Sequence, residues 1–210
     1  MDAAPRITAL EQDPRRPGAV RLDIDGTRFG AVPRELVGAE GLVVGLPLDE
    51  GLQQRLGAAA DIEAAFRTAL RSLELRAFAR NDLGRRLRRK GHPPDAVLAA
   101  LERVAGLGLL DDASFARSYI QSRSARGRGP SRLVGDLLAM GVERSIIDRA
   151  LAAELPEGTD RASVPLGLAT RRAAQLGALP RQVKRRRLLA YLARRGFSGR
   201  EVRDLVEGVL

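Results

Sequence analysis

The residues in this sequence best suited to chemistry are its arginines. A guanidinium group stays charged and can grip a phosphate or a carboxylate through two parallel hydrogen bonds. The chain of 210 residues has 36 Lys and Arg against 26 Asp and Glu, a net charge of +10, and its only lysines are Lys90 and Lys184. Residues 1–60 carry 7 basic and 9 acidic groups, residues 61–132 carry 15 and 8, and residues 133–210 carry 14 and 9. This basic excess after about residue 60 indicates a polyanionic partner, either nucleic acid or a protein–nucleic-acid assembly.

The candidate binding residues form four basic clusters. The first lies on a predicted helix around inward-facing Leu83 and Leu87, and the second surrounds Gly127 and Gly129 in a loop that could follow a phosphate chain. The third begins a helix, where cations oppose the helix dipole. The fourth precedes Gly196. A solvated helix face remains the alternative for the first cluster, and an ordinary basic linker remains the alternative for the second. The candidates are Arg85, Arg86, Arg89, Lys90, Arg123, Arg126, Arg128, Arg132, Lys184, Arg185, Arg186, Arg187, Arg194 and Arg195.

The sequence has no constellation of residues that supports catalysis. It has no cysteine and a single histidine, His92, which excludes thiol catalysis, disulfides and zinc sites of the Cys or His type. The adjacent carboxylates Asp111 and Asp112 could be mistaken for an acid–base pair, but a helix begins beside them, so we expect helix capping. His92 follows Gly91 in a position that predicts a residue packed between helices. We therefore predict a protein that is not an enzyme and needs no cofactor or metal.

A repeat centred on Gly91, Gly141 and Gly196 organises the chain after residue 60. The positions eight and four residues before each glycine, and six and ten residues after it, are Leu, Ile or Val in all three copies. These positions are Leu83, Leu87, Val97, Leu101, Leu133, Leu137, Ile147, Leu151, Leu188, Leu192, Val202 and Val206. Residues four apart share a helix face, and a glycine ends a helix in the left-handed conformation without steric cost, so each copy predicts two helices that fold against each other.

A further helix precedes each of these hairpins, over 61–78, 113–124 and 164–176. One hairpin alone buries too little surface, so we expect each to pack with its preceding helix and with neighbouring copies. The predicted fold class is mainly all-α, with three tandem three-helix repeats at 61–108, 109–158 and 159–210 that form an elongated curved body. The residues before the first and third glycines are paired cations, but those before Gly141 are Ala139 and Met140. We infer that contacts are weighted toward the first and third repeats.

Residues 1–55 predict a small β-rich N-terminal subdomain. Val20–Ile24 alternates apolar and polar residues as a half-buried strand does, and Asp25-Gly26 is a strong hairpin signal before a return strand. The return strand spans 27–32, weaker strand candidates are 7–11 and 42–46, and a short helical turn is expected at 33–37.

The sequence resembles the RecX family over roughly residues 60–210. Leu109–Ala116 resembles the double-aspartate signature of that family, and Leu83–Gly91 and Gly129–Val142 resemble two of its leucine–glycine segments. Some members also have a β-type N-terminal extension like residues 1–50. Ala79 and Asp82 depart from the family pattern because they stand where members often have Ser and Glu, so we expect Asn81 or Asp82 to cap the following helix.

The resemblance implies a noncatalytic modulator, usually an inhibitor, of the RecA recombinase that lies along the groove of the RecA–single-stranded DNA filament. The implied partners are the RecA filament and single-stranded DNA, with duplex DNA as a second candidate. We expect a monomer that acts in the cytoplasm and does not bind membranes, because no apolar run is long enough to span a bilayer and the N-terminus lacks a signal-peptide core. The alternative function is a stand-alone helical DNA- or RNA-binding protein that uses helix-turn-helix-like units.

Overall fold

A computed structural model of the chain describes residues 4–14, 16, 18–155 and 162–210. These residues form two compact units, an N-terminal unit that ends at Leu110 and a C-terminal unit that begins at Asp111. The elements in chain order are β1 (Ile7–Gln12), β2 (Ala19–Ile24), β3 (Thr27–Pro33), α1 (Arg34–Ala39), α2 (Glu50–Leu75), α3 (Arg80–Arg89), α4 (Pro94–Gly106), α5 (Asp112–Ser124), α6 (Pro130–Ala139), α7 (Arg144–Glu154), α8 (Ser163–Gln175), α9 (Arg181–Arg194) and α10 (Arg200–Val209). None of the helices described is long and apolar enough to cross a membrane.

The N-terminal unit begins with an antiparallel sheet in the order β1-β2-β3. Asp25 and Gly26 join β2 to β3 with positive φ angles of 47° and 77°, as a tight hairpin turn requires. The predicted strands at 7–11, 20–24 and 27–32 and the helical turn near 33–37 are confirmed. The strand predicted at 42–46 is wrong, because Gly41 and Gly45 take positive φ angles of 61° and 91° and turn the chain there.

Helix α2 is longer at its start than the sequence pattern indicated. The predicted helix began at Asp61, whereas α2 begins at Glu50 and Asp49 caps it by accepting a hydrogen bond from Leu52 N at 2.7 Å. The first turns of α2 pack into the core of the sheet through Leu52 and Leu56. Because this segment is stabilised by packing on the sheet, its local sequence gave a weak signal. The predicted division between residues 55 and 61 therefore falls inside one continuous helix.

A buried carboxylate ties the sheet side of the N-terminal unit to its helices. Glu63 on α2 is 2% exposed and forms ion pairs with Arg16, which lies between β1 and β2, and with Arg103 of α4, the latter at 2.8 Å. Arg103 also stacks over the ring of Phe66 at 3.9 Å. Buried charges must be paired to be tolerated, so this triad fixes how the sheet loop meets α2 and α4.

Helices α2 to α10 fall into three successive groups of three. Of the twelve repeat positions, eleven are buried, and Leu151 is half-buried. The glycines at the centre of the repeat have φ angles of 86°, 82° and 90°. The residue after each glycine donates a backbone hydrogen bond to the carbonyl five residues earlier: His92 to Leu87, Val142 to Leu137 and Phe197 to Leu192. All three helices thus end in the same Schellman motif, which confirms the predicted role of the glycines.

Of the two predicted helix N-caps, the one at α5 is confirmed and the one at α3 is wrong. Asp111 accepts hydrogen bonds from Ala113 N and Ser114 N at the start of α5, which confirms the capping prediction. The prediction for α3 is wrong, because that helix begins at Arg80 and its N-cap is Ala79, without a side-chain cap. Ala79 is fully buried, so packing of the entering chain sets this helix start.

The predicted residue between helices, His92, is half-buried. Its Nε2 lies 3.0 Å from Thr68 Oγ1 of α2, so it links the α3–α4 turn to α2. Burial lowers the pKa of the imidazole below its usual value, which favours the neutral form.

Candidate nucleic-acid interface

An open cleft of about 700 Å³ in the C-terminal unit brings six of the predicted arginines together. Four come from the loop cluster between α5 and α6, and two come from the end of α9, more than sixty residues away in sequence. The six are Arg123, Arg126, Arg128, Arg132, Arg194 and Arg195, and we call this site the arginine cleft. Ser131, Ala193 and Gly196 complete its lining.

The two walls of the arginine cleft are joined by backbone hydrogen bonds. Gly129 N donates to Arg195 O at 2.7 Å, and Ser131 N donates to Gly196 O at 3.3 Å. Gly127 turns the loop with a φ of 77°, and Pro130 occupies the first position of α6, where its missing N–H has no consequence. The end of the loop that leads into α6 is therefore anchored to the end of α9.

Gly129 and Gly196 permit this approach because neither has a side chain. A Cβ on Gly129 would lie 2.5 Å from the carbonyl oxygen of Gly196. A Cβ on Gly196 would lie 2.5 Å from Arg132 Cβ and closer still to Arg132 N. Since Gly196 also has a φ of 90°, only glycine fits there without displacing one wall of the cleft.

Two arginines of the cleft are held by a carboxylate from α6. Asp136 forms ion pairs with Arg128 and with Arg132, whose Nε lies 3.1 Å from Asp136 Oδ1. Tyr119 OH donates to Asp136 Oδ2 at 3.1 Å and lies 3.2 Å from Arg128 Nη1. Burial, followed by the charge of Asp136, raises the pKa of Tyr119, so its hydroxyl stays protonated as a donor.

The other four arginines differ in how far they are restrained. Arg195 is half-buried, donates to Gly127 O at 3.5 Å and lies 5.1 Å from the ring centroid of Tyr191. Arg123 lies 5.4 Å from the ring centroid of Tyr119. Arg126 and Arg194 are exposed and form no ion pair with any residue that the structure describes. With six positive charges and the one negative charge of Asp136, the cleft keeps a net charge of +5.

The α3 cluster lies in the N-terminal unit. Its members are Arg85, Arg86, Arg89 and Lys90. Arg85 forms an ion pair with Asp82 at 3.2 Å. Arg86 is half-buried, donates to Ser72 Oγ of α2 at 3.2 Å and lies 5.7 Å from the ring centroid of Phe78, so part of its role is to pack α3 on its neighbours. The other two members are exposed at the end of α3, where cations also complement the helix dipole.

The third cluster, residues 184–187, lies on α9 away from the residues that line the cleft. Arg185 forms an ion pair with Glu207 of α10, and Arg181 joins the same carboxylate at 3.3 Å. The hydrogen bond from Arg185 holds the pKa of Glu207 below its usual value. Arg186 and Arg187 are exposed and Lys184 is half-buried.

The sequence named the cations but missed Asp136 and Tyr119, which orient two of them. Asp136 lies four residues after Arg132 on α6, and this spacing of opposite charges on a helix was the available signal. The predicted weighting of contacts toward the first and third repeats stays a prediction. The second group supplies four cleft arginines, though from its loop and adjoining helix ends and not from the positions before its glycine.

Groups of three helices around a repeated leucine–glycine hairpin, with an arginine-lined cleft, define a helical-repeat protein with a strongly basic groove. Residues 111–151 match the family model for RecX, second three-helix domain. The regulatory protein RecX of Mycobacterium avium is 36% identical over 137 residues, which are 65% of this chain and 79% of that protein. The regulatory protein RecX of Xanthomonas campestris pv. campestris is 35% identical over 135 residues, 64% of this chain and 81% of that protein. The chain belongs to the RecX family of regulatory proteins.

A solved structure confirms the fold class. The crystal structure of a regulatory protein RecX superposes with a TM-score of 0.76 over 97% of this chain and 99% of that one, at 23% identity. The mainly helical architecture with a small N-terminal sheet is therefore an arrangement already seen in an experimental structure.

Proposed function

We propose that this protein regulates the RecA recombinase without catalysis, by binding the filament that RecA forms on single-stranded DNA and inhibiting its activity. The observation that carries the proposal is the arginine cleft, whose six guanidinium groups converge on one open groove. Within the filament, we assign the phosphodiester backbone of the DNA to this cleft. We further propose that the protein acts as a monomer in the cytoplasm.

The lining of the cleft favours phosphates over a protein surface. Apart from the six arginines, it consists of Ser131, Ala193 and Gly196, so it offers no large apolar side chain. Protein interfaces draw most of their binding energy from buried aromatic and apolar anchors together with arginine, whereas phosphate chains are bound mainly by cations. Guanidinium groups also match two phosphate oxygens at once.

The α3 cluster and the exposed cations of the third cluster remain proposed contacts to the filament. Two members of each cluster are exposed without an ion pair to the described residues: Arg89, Lys90, Arg186 and Arg187. Exposed cations of this kind mainly steer association with an acidic partner, and their effect falls as salt is added.

The direct test is the DNA-dependent ATPase of RecA on single-stranded DNA, titrated with this protein. Suppression well below one regulator per recombinase is expected, because one bound molecule would affect many filament subunits. If there is no suppression, even at excess and low salt, the protein is not a filament regulator. Tight binding to naked duplex would then favour the alternative, a stand-alone nucleic-acid-binding protein.

A pair of matched variants tests the cleft itself. Arg126→Ala with Arg194→Ala removes two exposed cleft cations. Arg149→Ala with Arg203→Ala removes two exposed cations of the same unit that do not line the cleft. We expect the first pair to reduce the slope of the logarithm of the binding constant against the logarithm of the salt concentration by about 1.4 for single-stranded DNA, since each phosphate contact contributes roughly 0.7. The second pair should change this slope little. Equal effects of the two pairs would remove the cleft from the proposal.

A further inference from the structure

Asp136 stands out in the arginine cleft as a negative charge in a site built for anions. Among the residues that the structure describes, no other carboxylate forms an ion pair with the cleft arginines. Its side chain is only 14% exposed, so water screens it less than an ordinary surface carboxylate. A carboxylate at this position repels any phosphate group that enters the cleft.

The contacts of Asp136 engage one nitrogen of Arg132 and one nitrogen of Arg128 that a phosphate could otherwise approach. Arg132 turns its Nε toward Asp136 at 3.1 Å even though its side chain is 55% exposed. Arg128 places its Nη1 between Asp136 and the hydroxyl of Tyr119. Two of the six cleft arginines are thus engaged with an internal anion, whereas Arg126 and Arg194 have no such partner among the described residues.

We propose that Asp136 is a specificity-determining residue that competes with the ligand for Arg128 and Arg132. It lowers the affinity of the cleft for a bare phosphate chain, so that tight binding depends on the further contacts that a filament supplies. Specificity of this kind comes from an element that disfavours the wrong partner, here free nucleic acid. The inference rests on the proposed function, since it assumes that the cleft binds phosphates.

The competing explanation is that Asp136 simply holds the loop between α5 and α6 in place. It does link Tyr119 of α5 to Arg128 of the loop, so this role is also built into its contacts. The two explanations predict opposite changes in affinity when Asp136 is removed. Removing a competitor strengthens binding to a bare phosphate chain, whereas removing a structural support weakens it.

The test uses the full-length protein with Asp136→Asn, which keeps the shape and an acceptor for Tyr119 but removes the charge. Binding to a single-stranded thymidine oligonucleotide is followed by fluorescence anisotropy over a series of salt concentrations. We expect binding to tighten by at least about fourfold, the value for one unit charge removed about 5 Å away at the dielectric constant of bulk water, since this carboxylate is screened less than that. The salt slope should steepen by about 0.7 for each further phosphate that the released arginines neutralise.

Asp148→Asn is the matched control, because it makes the same change of charge at an exposed carboxylate of the same unit that does not line the cleft. Its affinity and salt slope should stay within about twofold of the wild type. In the RecA ATPase assay, the concentration of Asp136→Asn that gives half-maximal inhibition should fall by a smaller factor than its Kd for the free oligonucleotide. The ratio of filament affinity to free-DNA affinity should therefore decrease. Affinity for the oligonucleotide that is unchanged or weaker in Asp136→Asn, with a wild-type melting temperature, overturns the proposal.

A second variant tests the same point through Arg132. Arg132→Gln should weaken oligonucleotide binding less in the wild-type chain than in Asp136→Asn, where the carboxylate no longer engages Arg132. An equal loss in the two backgrounds would show that Asp136 does not compete for Arg132 and would overturn the proposal. Failure of the cleft assignment is distinguishable, since Arg126→Ala with Arg194→Ala would then leave binding unchanged.

Discussion

Replacing Gly196 with alanine should destabilise the C-terminal unit by about 2–5 kcal/mol. Gly196 has a φ of 90°, and an L-residue in the left-handed region costs about 1–2 kcal/mol. The new Cβ would also lie 2.5 Å from Arg132 Cβ and 2.8 Å from Gly129 O, and overpacking of this kind costs about 1–3 kcal/mol. Both the backbone conformation and the close approach of the two cleft walls thus contribute to the loss of stability.

The variant Gly91→Ala separates the cost of the left-handed backbone conformation from the cost of the steric contact. Gly91 occupies the same position of the first repeat with a φ of 86°, but a Cβ there would meet no atom within 4 Å. This variant should lose only the conformational part, about 1–2 kcal/mol. The difference between the two variants, about 1–3 kcal/mol, measures the contact between the walls.

Urea denaturation followed by circular dichroism gives the free energy of unfolding of both variants, and hydrogen exchange localises the loss. In Gly196→Ala, faster exchange should appear at the start of α6 and the end of α9, since these segments form the walls. Equal losses in the two variants, within about 0.5 kcal/mol, would refute the reasoning that a tight backbone contact sets the cleft. Oligonucleotide binding by the folded Gly196→Ala protein should weaken as well, because the two walls would no longer present their arginines together.

Three further predictions concern stability. Leu137→Ala should cost about 2–5 kcal/mol, because Leu137 is fully buried in its helical group, and an unchanged melting temperature would contradict that position. Glu63→Ala should cost about 3–5 kcal/mol by leaving Arg16 and Arg103 without their shared carboxylate. Replacing Arg103 alone should cost less, because Arg16 still pairs with Glu63. Chemical denaturation of the wild type and the two variants would show whether that order of stability holds. Asp111→Ala should cost about 0.5–2 kcal/mol through loss of the α5 cap. Hydrogen bonds from Ser114 lower the pKa of Asp111, so its stabilisation should be present above its unfolded pKa of about 3.9 and disappear as the pH falls through the lower folded value; a wild-type chain and Asp111→Ala that keep the same difference in stability at acidic pH would contradict this.

The architecture of the helical groups followed from local sequence. Leucines four residues apart define a helix face, and a glycine that ends the helix fixes where the chain turns, so both signals lie within about twenty residues. The hairpin at Asp25-Gly26 and the cap at Asp111 were predictable for the same reason, because each depends on the residues beside it. Where packing between distant segments controls an element, the local signal failed. The early start of α2 depends on the sheet, and the start of α3 depends on burial of Ala79.

The sequence by itself determined that this chain would be a basic, mainly helical repeat protein with no cysteine and a single histidine, and it identified the cations. Only the tertiary structure decided which cations share a site. Arg195 meets the loop at Gly127 across 68 positions, and Glu63 reaches Arg16 and Arg103 across 47 and 40 positions. Apolar residues have one favourable place, the core, so their spacing shows their environment. Charged residues on a solvated face have no such local constraint, and the fold alone determines which partners face them.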